Sequence, residues 1–407
     1  MLSQEVRALV KATAPVLKVH GEALTRHFYA RMFRHNPELK QVFNQGHQDG
    51  GQQQQALAAA VAAYAEHIDD PSVLAPVVTR IVHKHVSLGI RPEHYAIVGK
   101  HLLASIGEVL GEAATDELIA AWAAAYGQLA DLLIAEEARL YAQSAGKEGG
   151  WTGWRAFRLE RKVPESAEIT SFYLVPADGG PVPGYLPGQY ISLRVYVPEL
   201  GLMQPRQYSL SDAPGQGRLR ISVKREGGVA GAGAPAGSVS NLLHARVQEG
   251  DVLDLAPPQG DFTLDEQRAA PVVLVSGGVG LTPMVSMLNH LVARDDGRQI
   301  RFVHACRDRS VHAMKAHINT VTQAWPNVRK VIYYETVSAD DRHGHDYDYT
   351  GRMNLQAIRD VAVLPDADYY LCGPLPFMNA QRQALAELGV EPDRIHAEVF
   401  GTGGPGA

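Results

Sequence analysis

The chain has 407 residues, enough for two or three domains at about 150 residues each, and 45% hydrophobic against 20% charged residues excludes a disordered or fibrous polymer. Its 38 Lys plus Arg and 44 Asp plus Glu give a formal charge of −6, with 13 basic against 16 acidic residues before position 151 and 25 against 28 after it, so neither part is basic enough to draw nucleic acid. Cys306 and Cys372, the two cysteines, are too few for a disulfide framework and point to a reducing compartment.

Met1 to Glu22 carries Glu5, Arg7, Lys11 and Lys18 among apolar residues and reads as an amphipathic helix without a signal-peptide core. No segment reaches the run of about 18 uninterrupted apolar residues expected of a membrane span, so a cytoplasmic protein with no integral membrane segment is expected. Residues 1–145 hold five of the 24 prolines, are dense in Ala and Leu and keep helical spacing almost throughout. Ser3 is placed to cap a first helix; Pro37, Pro71 and Pro76 mark helix entries, and Arg91-Pro92 breaks the chain between periodic runs. With long periodic stretches at Glu93–Leu110 and Thr115–Tyr141, six to eight helices are predicted, in a globin-like packing or a bundle.

Nine of the 17 histidines fall in this part. Val77, Ile81, His85 and Leu88 share one helix face, which puts an imidazole in an apolar stripe. Spacing alone does not choose between His85 and its competitors His83 and His101, and a histidine there is ordinarily a core or helix-end residue.

Gly146 to Gly150 reads as a linker. From Phe157 to about Phe262, short alternating runs such as Ile169–Leu174 and Leu219–Val223 are separated by Pro and Gly turns, the pattern of an antiparallel barrel or sandwich. Gly227 to Gly237 is low in complexity and reads as a loop. Beyond Pro271, Val272–Val275, Ile300–Ala305, Val331–Tyr334 and Asp368–Leu371 alternate with helical stretches, which predicts a parallel α/β sheet. The expected division is 1–145, a linker 146–152, 153–265 and 270–407.

Several motifs in the later part carry chemistry. Pro187-Gly188-Gln189-Tyr190 leads one strand, and Arg206-Gln207-Tyr208-Ser209 gives another a cation, a flat ring and a hydroxyl, the set a flavin nucleotide needs, though alone it also reads as an amphipathic strand. Val239-Ser240-Asn241 opens a helix, with Ser240 or Asn241 as its cap and free N–H groups for a phosphate. The strand Val272–Ser276 runs into Gly277-Gly278-Val279-Gly280-Leu281-Thr282-Pro283, where glycines admit a ligand, Thr282 is a cap and Pro283 a first helical residue. Pro283 breaks the G-x-G-x-x-G fingerprint. Cys372-Gly373-Pro374 ends another strand, where open α/β sheets bind ligands.

In this order, the Arg206–Ser209, Gly277–Pro283 and Cys372–Pro374 motifs resemble the ferredoxin-NADP reductase superfamily over about residues 153–403. The resemblance implies an FAD-carrying β-barrel domain followed by an NAD(P)-binding α/β domain, with Tyr208 and Ser209 along the isoalloxazine and Cys372 beside the nicotinamide. It also implies an aromatic cover for the flavin from Glu398-Val399-Phe400-Gly401. Thr402 and Ala397 stand where close family members carry proline and tyrosine. Cys306-Arg307-Asp308-Arg309 offers both an arginine for the 2′-phosphate of NADPH and an acid for the free hydroxyl of NADH.

The helical part resembles a bacterial globin through His27–Phe33, Asn36–Phe43, Gln52–Leu57, Lys84-His85, Tyr95–Gly99 and Glu136–Tyr141. Fused to the reductase part, it is similar to the flavohaemoglobin family over essentially the whole chain. That resemblance implies haem b with His85 as proximal iron ligand, its other ring nitrogen donating to Glu137 and Glu137 accepting from Tyr95. On the distal side it implies that Tyr29 hydrogen-bonds dioxygen, with Gln53 as a second polar contact, Leu57 as an apolar wall and Phe43 packed on the porphyrin. Lys84 and Glu398 are implied near the meeting of haem and flavin domains. The implied activity is nitric oxide dioxygenase, with O2, nitric oxide and NAD(P)H as small-molecule partners, a lipid as a candidate occupant of the distal pocket, and a monomeric state. An O2 carrier or haem sensor, and a flavin or ferric reductase, are the competing readings.

Overall fold

The computed structural model describes residues 2–44, 51–228 and 236–400. By packing, the chain divides into two units, Met1–Arg155 with Ser192–Arg206, and Ala156–Ile191 with Gln207–Ala407.

Among the described residues the helical part holds six α-helices, Gln4–Ala12, Ala14–His35, Gln52–Glu66, Ala75–Leu88, Pro92–Leu110 and Asp116–Gly146. Their ends follow the sequence. Ser3 Oγ accepts the Val6 N–H at 3.2 Å and Thr115 Oγ1 the Leu118 N–H at 3.2 Å, each satisfying a donor that the first helical turn leaves open. Gly89, at φ 76°, closes the Ala75–Leu88 helix in the left-handed conformation that a side chain resists. The entry expected at Pro37 is a short 3-10 helix, Pro37–Gln41, and that at Pro71 another, Pro71–Leu74. Phe28, Met32, Leu102, Ile106, Trp122 and Ala125 form the main core, and Val82, Val86, Tyr95, Leu133 and Leu140 a second cluster.

The Asp116–Gly146 helix is long and apolar enough, by length and composition, to cross a membrane, although polar residues interrupt its apolar ones. Here it supplies Trp122 and Ala125 to the main core and Ala130, Leu133 and Leu140 to the second cluster.

The following strands are β1 Arg155–Pro164, β2 Ile169–Pro176, β3 Tyr190–Val197, β4 Leu202–Ser209, β5 Leu219–Lys224 and β6 Val252–Leu255, in a sheet of order β4-β3-β6-β1-β2-β5. β2 pairs antiparallel with both β1 and β5. The alternation in β2 leads one to expect one wet face, but Thr170 and Ser171 are buried as well. The Ser171 hydroxyl donates to Glu165 at 2.7 Å and lies 2.8 Å from that of Ser222, so the interior polar positions are hydrogen-bonded.

A second sheet has the order β10-β9-β8-β7-β11-β12, with β7 Val272–Gly277, β8 Ile300–Cys306, β9 Val328–Tyr334, β10 Tyr349–Thr350, β11 Asp368–Cys372 and β12 Ile395–Glu398, all parallel. From β7 the chain builds outward to β8 and β9, then returns to place β11 on the other side. This reversal makes the carboxyl ends of β7 and β11 the switch point where such sheets bind ligands.

Beside β7 lies a feature the sequence did not signal. His304 Nδ1 is 2.9 Å from Ser276 Oγ, and His312 Nδ1 is 2.8 Å from the Tyr334 hydroxyl, with the two rings 5.4 Å apart. Both Nε2 atoms are buried without a hydrogen-bonding partner among the described residues. Burial pushes the His304 pKa down to about 4, and burial with the neighbouring His304, Lys315 and Lys330 charges pushes that of His312 down to about 2. Below about pH 6.5 the unfolded chain therefore takes up protons that the folded one refuses, and stability falls with pH. His304 alone accounts for about 3 kcal/mol by pH 4, at 1.36 kcal/mol per pKa unit. Urea midpoints measured near pH 7.5 and about pH 5 are expected to converge in a His304→Gln, His312→Gln double variant. An unchanged pH slope would contradict this.

Candidate functional site

The Ala75–Leu88 helix turns Val82 and Val86 into the second core cluster. The Val77, Ile81, His85 stripe is the more open one: Val77 is 40% exposed and the His85 side chain 31%. Ile81, half-buried, packs against the second cluster, and a partly open apolar stripe with an imidazole in it suits a flat apolar group carrying a metal. His85 Nδ1 lies 2.8 Å from Glu137 Oε1 and 3.0 Å from the Tyr95 hydroxyl, which itself donates to the same Glu137 oxygen in a very short hydrogen bond. Glu137 is 2% exposed. Burial, then Glu137, raises the Tyr95 pKa far enough that the phenol keeps its proton and donates. With Nδ1–H turned to a carboxylate, the lone pair on Nε2 is available to a metal, and the carboxylate makes that nitrogen more basic.

The competing histidines separate on geometry. His101 is buried, with Nδ1 2.7 Å from Arg31 Nη1 and Nε2 3.0 Å from Asn36 Oδ1, so both ring nitrogens are engaged. His83 lines a separate groove with Val78, Val82 and Leu132.

On the distal elements Tyr29 is buried at 6% exposure. Its ring stacks on Phe33 with centroids 5.8 Å apart, and Phe43 meets both edge-on at 5.8 and 5.3 Å. Gln53 and Leu57, four residues apart on the Gln52–Glu66 helix, share a face; Gln53 is half-buried and Leu57 packs on the main core. A phenol, an amide and an aromatic frame, with an imidazole lone pair on another helix, form a donor set that fits haem.

Arg206, Gln207, Tyr208 and Ser209 lie on β4, the first strand in its sheet order. Arg206 and Tyr208 are half-buried, Gln207 exposed and Ser209 buried. Tyr190 begins β3 and exchanges backbone hydrogen bonds of 2.9 Å with Gln259; a Cβ on Gly260, at φ 117°, would come within 3.0 Å of its ring. Cation, ring and hydroxyl along one strand fit a flavin nucleotide. The helix here is Ser238–Ala245, capped by Gly237. Ser240 and Asn241 are not its caps, as the sequence suggested, but lie inside it, with their side chains turned back to the Gly237 carbonyl at 3.1 and 2.9 Å. Val239 is buried.

After β7, Gly278–Gly280 forms a 3-10 turn and the helix runs from Leu281 to Ala293 with Gly280 as its cap. Thr282 and Pro283 are thus the second and third helical residues rather than cap and first. The Thr282 hydroxyl donates to the Val279 carbonyl at 3.1 Å. Gly280 serves packing rather than ligand approach, since its Cβ would sit 2.2 Å from the Cys372 carbonyl oxygen. Gly278, at φ 56°, has open space about it. That opening lies beside helical N–H groups without a side-chain cap, a setting that suits an anion. Cys372 is fully buried, and burial raises its thiol pKa well above the ordinary value, so it stays neutral. Gly373 follows it, and Pro374 caps the helix Leu375–Glu387. Glu398 pairs in register with Cys372 on β12, Val399 packs against the core and Phe400 is 44% exposed. Gly401 and Thr402 lie outside the described residues. Lys84 belongs to the first unit and Glu398 to the second.

Helical haem-type site and flavin and dinucleotide sites on one chain define a globin joined to an oxidoreductase. The Globin family model matches residues 26–133, the Oxidoreductase FAD-binding domain 156–264 and the Oxidoreductase NAD-binding domain 274–383. A flavohemoprotein of Bordetella parapertussis is 78% identical over 405 residues, covering 99% of this chain and all of that protein, and one of Chromobacterium violaceum is 62% identical over 402 residues, 99% of each. The crystal structure of a Malassezia yamatoensis flavohemoglobin with bound FAD and heme superimposes with a TM-score of 0.84 at 28% identity, over 98% of this chain and all of that one. The FAD/NAD-binding domain of nitric oxide dioxygenase from Vibrio cholerae gives a TM-score of 0.54 at 40% identity, over 61% of this chain and 98% of its own. The chain belongs to the flavohaemoprotein family, and its cofactors are haem, FAD and a nicotinamide dinucleotide.

Proposed function

We propose that the protein is a nitric oxide dioxygenase, converting nitric oxide and O2 to nitrate with electrons from NAD(P)H. The observation that carries this is the His85–Glu137–Tyr95 hydrogen-bonded chain, an arrangement that favours the higher charge states of a metal bound at Nε2, on the same polypeptide as a nicotinamide-dependent reductase. When bound, haem supplies an iron that activates O2, and FAD accepts two electrons from nicotinamide and releases them singly.

His85 presents Nε2 to the metal, Glu137 holds the imidazole tautomer and Tyr95 holds Glu137. With haem in place, the Tyr29 phenol would be the donor toward a bound gas, Gln53 would add a second polar contact, and Phe43 and Leu57 would keep water out. Arg206 binds the flavin pyrophosphate, Tyr208 lies on the ring and Ser209 donates to it, with Tyr190, Gln207, Val239 and Ser240 completing that site. The turn Gly277–Thr282 receives the dinucleotide pyrophosphate, and Cys372, Gly373 and Pro374 border its nicotinamide end. Glu398, Val399 and Phe400 cover the flavin. The domain limits we take are residues 1–145, 153–265 and 270–407.

A nitric oxide electrode tests the reading: nitric oxide is to disappear only when both O2 and NADH are supplied. Stable oxygenated protein without nitric oxide consumption would instead identify a carrier or sensor. Tyr29→Phe, which removes one donor and leaves the ring, is expected to lower turnover roughly 10²-fold with haem content unchanged. Wild-type turnover in that variant would remove Tyr29 from the chemistry.

A further inference from the structure

The four residues after β8, Arg307 to Ser310, stand at the carboxyl end of the strand beside β7, where dinucleotide folds read the 2′ position of the adenosine ribose. An acid there accepts from the free hydroxyl of NADH, and an arginine pairs with the phosphate of NADPH. The sequence offers both, and the hydrogen bonds separate them.

Asp308 closes its own turn. Its Oδ1 accepts the Ser310 N–H at 2.8 Å and the Ser310 hydroxyl at 2.5 Å, capping the 3-10 helix Arg309–Val311. Arg309 turns the other way, 3.5 Å from the Asp340 carbonyl and 3.9 Å from the Asp341 carboxylate. Arg307 donates through Nη2 to Glu168 Oε1 in a very close ion pair. Glu168 lies between β1 and β2, and its carbonyl accepts the Arg225 N–H at 2.7 Å. The Ala167 N–H fastens the two loops together, donating to the Ser310 carbonyl at 2.9 Å, and the Thr336 N–H, from the segment after β9, holds the Arg307 carbonyl at 2.9 Å.

An arginine already holding a carboxylate is poorly placed for a second anion. A 2′-phosphate has to approach against the Glu168 charge or displace it, whereas a 2′-hydroxyl can donate to the same carboxylate without repulsion. We propose that the Glu168–Arg307 ion pair makes this flavohaemoprotein selective for NADH over NADPH, with Glu168 as the residue that enforces the choice. This assignment rests on the dinucleotide domain and is independent of the nitric oxide reading. Because the pair is partly exposed, the discrimination weakens as salt rises.

Calorimetric titration of NAD+ and NADP+, which differ only in the 2′-phosphate, into the full-length FAD-loaded protein tests it without turnover. Wild type is expected to bind NAD+ more tightly. Glu168→Gln is expected to tighten NADP+ about tenfold, the shift of one charge-assisted hydrogen bond, and to leave NAD+ within about threefold. Adding Arg307→Ala is expected to remove that gain, and adding Arg309→Ala to leave it. An unchanged NADP+ to NAD+ ratio in Glu168→Gln, or a gain that survives Arg307→Ala or disappears with Arg309→Ala, would overturn the assignment. Loss of NAD+ binding in Glu168→Gln would do so too, since Glu168 is assigned only to the 2′ position.

Discussion

Full-length protein carrying His85→Ala, purified and supplied with haem, is expected to show a Soret absorbance reduced to the level of non-specifically bound haem and no NADH-dependent nitric oxide consumption. His85 is the imidazole whose Nδ1 is held by Glu137 and whose Nε2 is left for a metal. His101 cannot replace it, because Arg31 and Asn36 occupy both of its ring nitrogens. The flavin part keeps all its own residues, so NADH-dependent ferricyanide reduction is expected to stay within about twofold of wild type. Retention of a full, wild-type haem spectrum would refute the ligand assignment. Glu137→Gln is the milder companion: it keeps a hydrogen-bond acceptor but removes the negative charge from Nδ1, and is expected to bind haem with a raised reduction potential.

Gly280→Ala is expected to disable the dinucleotide domain. Its new methyl would lie 2.2 Å from the Cys372 carbonyl oxygen, 2.5 Å from the carbonyl carbon and 2.8 Å from the Gly373 nitrogen, all backbone atoms. No side chain can swing aside, so β7 and β11 must part at the switch point. The expected loss is about 3 kcal/mol or more of domain stability, read from urea unfolding, together with loss of NADH-driven flavin reduction. Gly278→Ala separates crowding from backbone strain. That residue has nothing within 4 Å of a new Cβ but sits at φ 56°, so about 1–2 kcal/mol is expected and the helix packing should survive. Equal effects at the two positions would contradict the packing argument.

Much of this architecture could be read in advance because it is written locally. Ser3 and Arg91-Pro92 mark helix starts by chemistry confined to a few residues, and the change from helical spacing to alternating runs follows the change of architecture. Helix starts fared worse where the caps are backbone only. Gly280 and Gly237 begin their helices without a side-chain hydrogen bond, which drew the sequence reading to Thr282 and Ser240 instead. The choice among His83, His85 and His101 could not be made from spacing, since it depends on partners 52 residues away at Glu137 and 65 residues away at Asn36. Family resemblance pointed to His85, and the hydrogen bonds give the physical reason. The His304–His312 pair and the partnership of Arg307 with Glu168 were not legible for the same cause: each joins residues from different loops or strands, and the Cys306–Arg309 run names Arg307 but not the carboxylate it pairs with.

The proposed reaction has one chain pass electrons from a nicotinamide to the oxidation of nitric oxide. NADH supplies two electrons, and forming nitrate from nitric oxide and O2 takes one. Nitrate formed per NADH consumed, measured on the purified full-length protein with nitric oxide and excess O2, is therefore expected to be about two. NADH consumption without nitrate, or nitrate formation that continues when NADH is withheld, would contradict it.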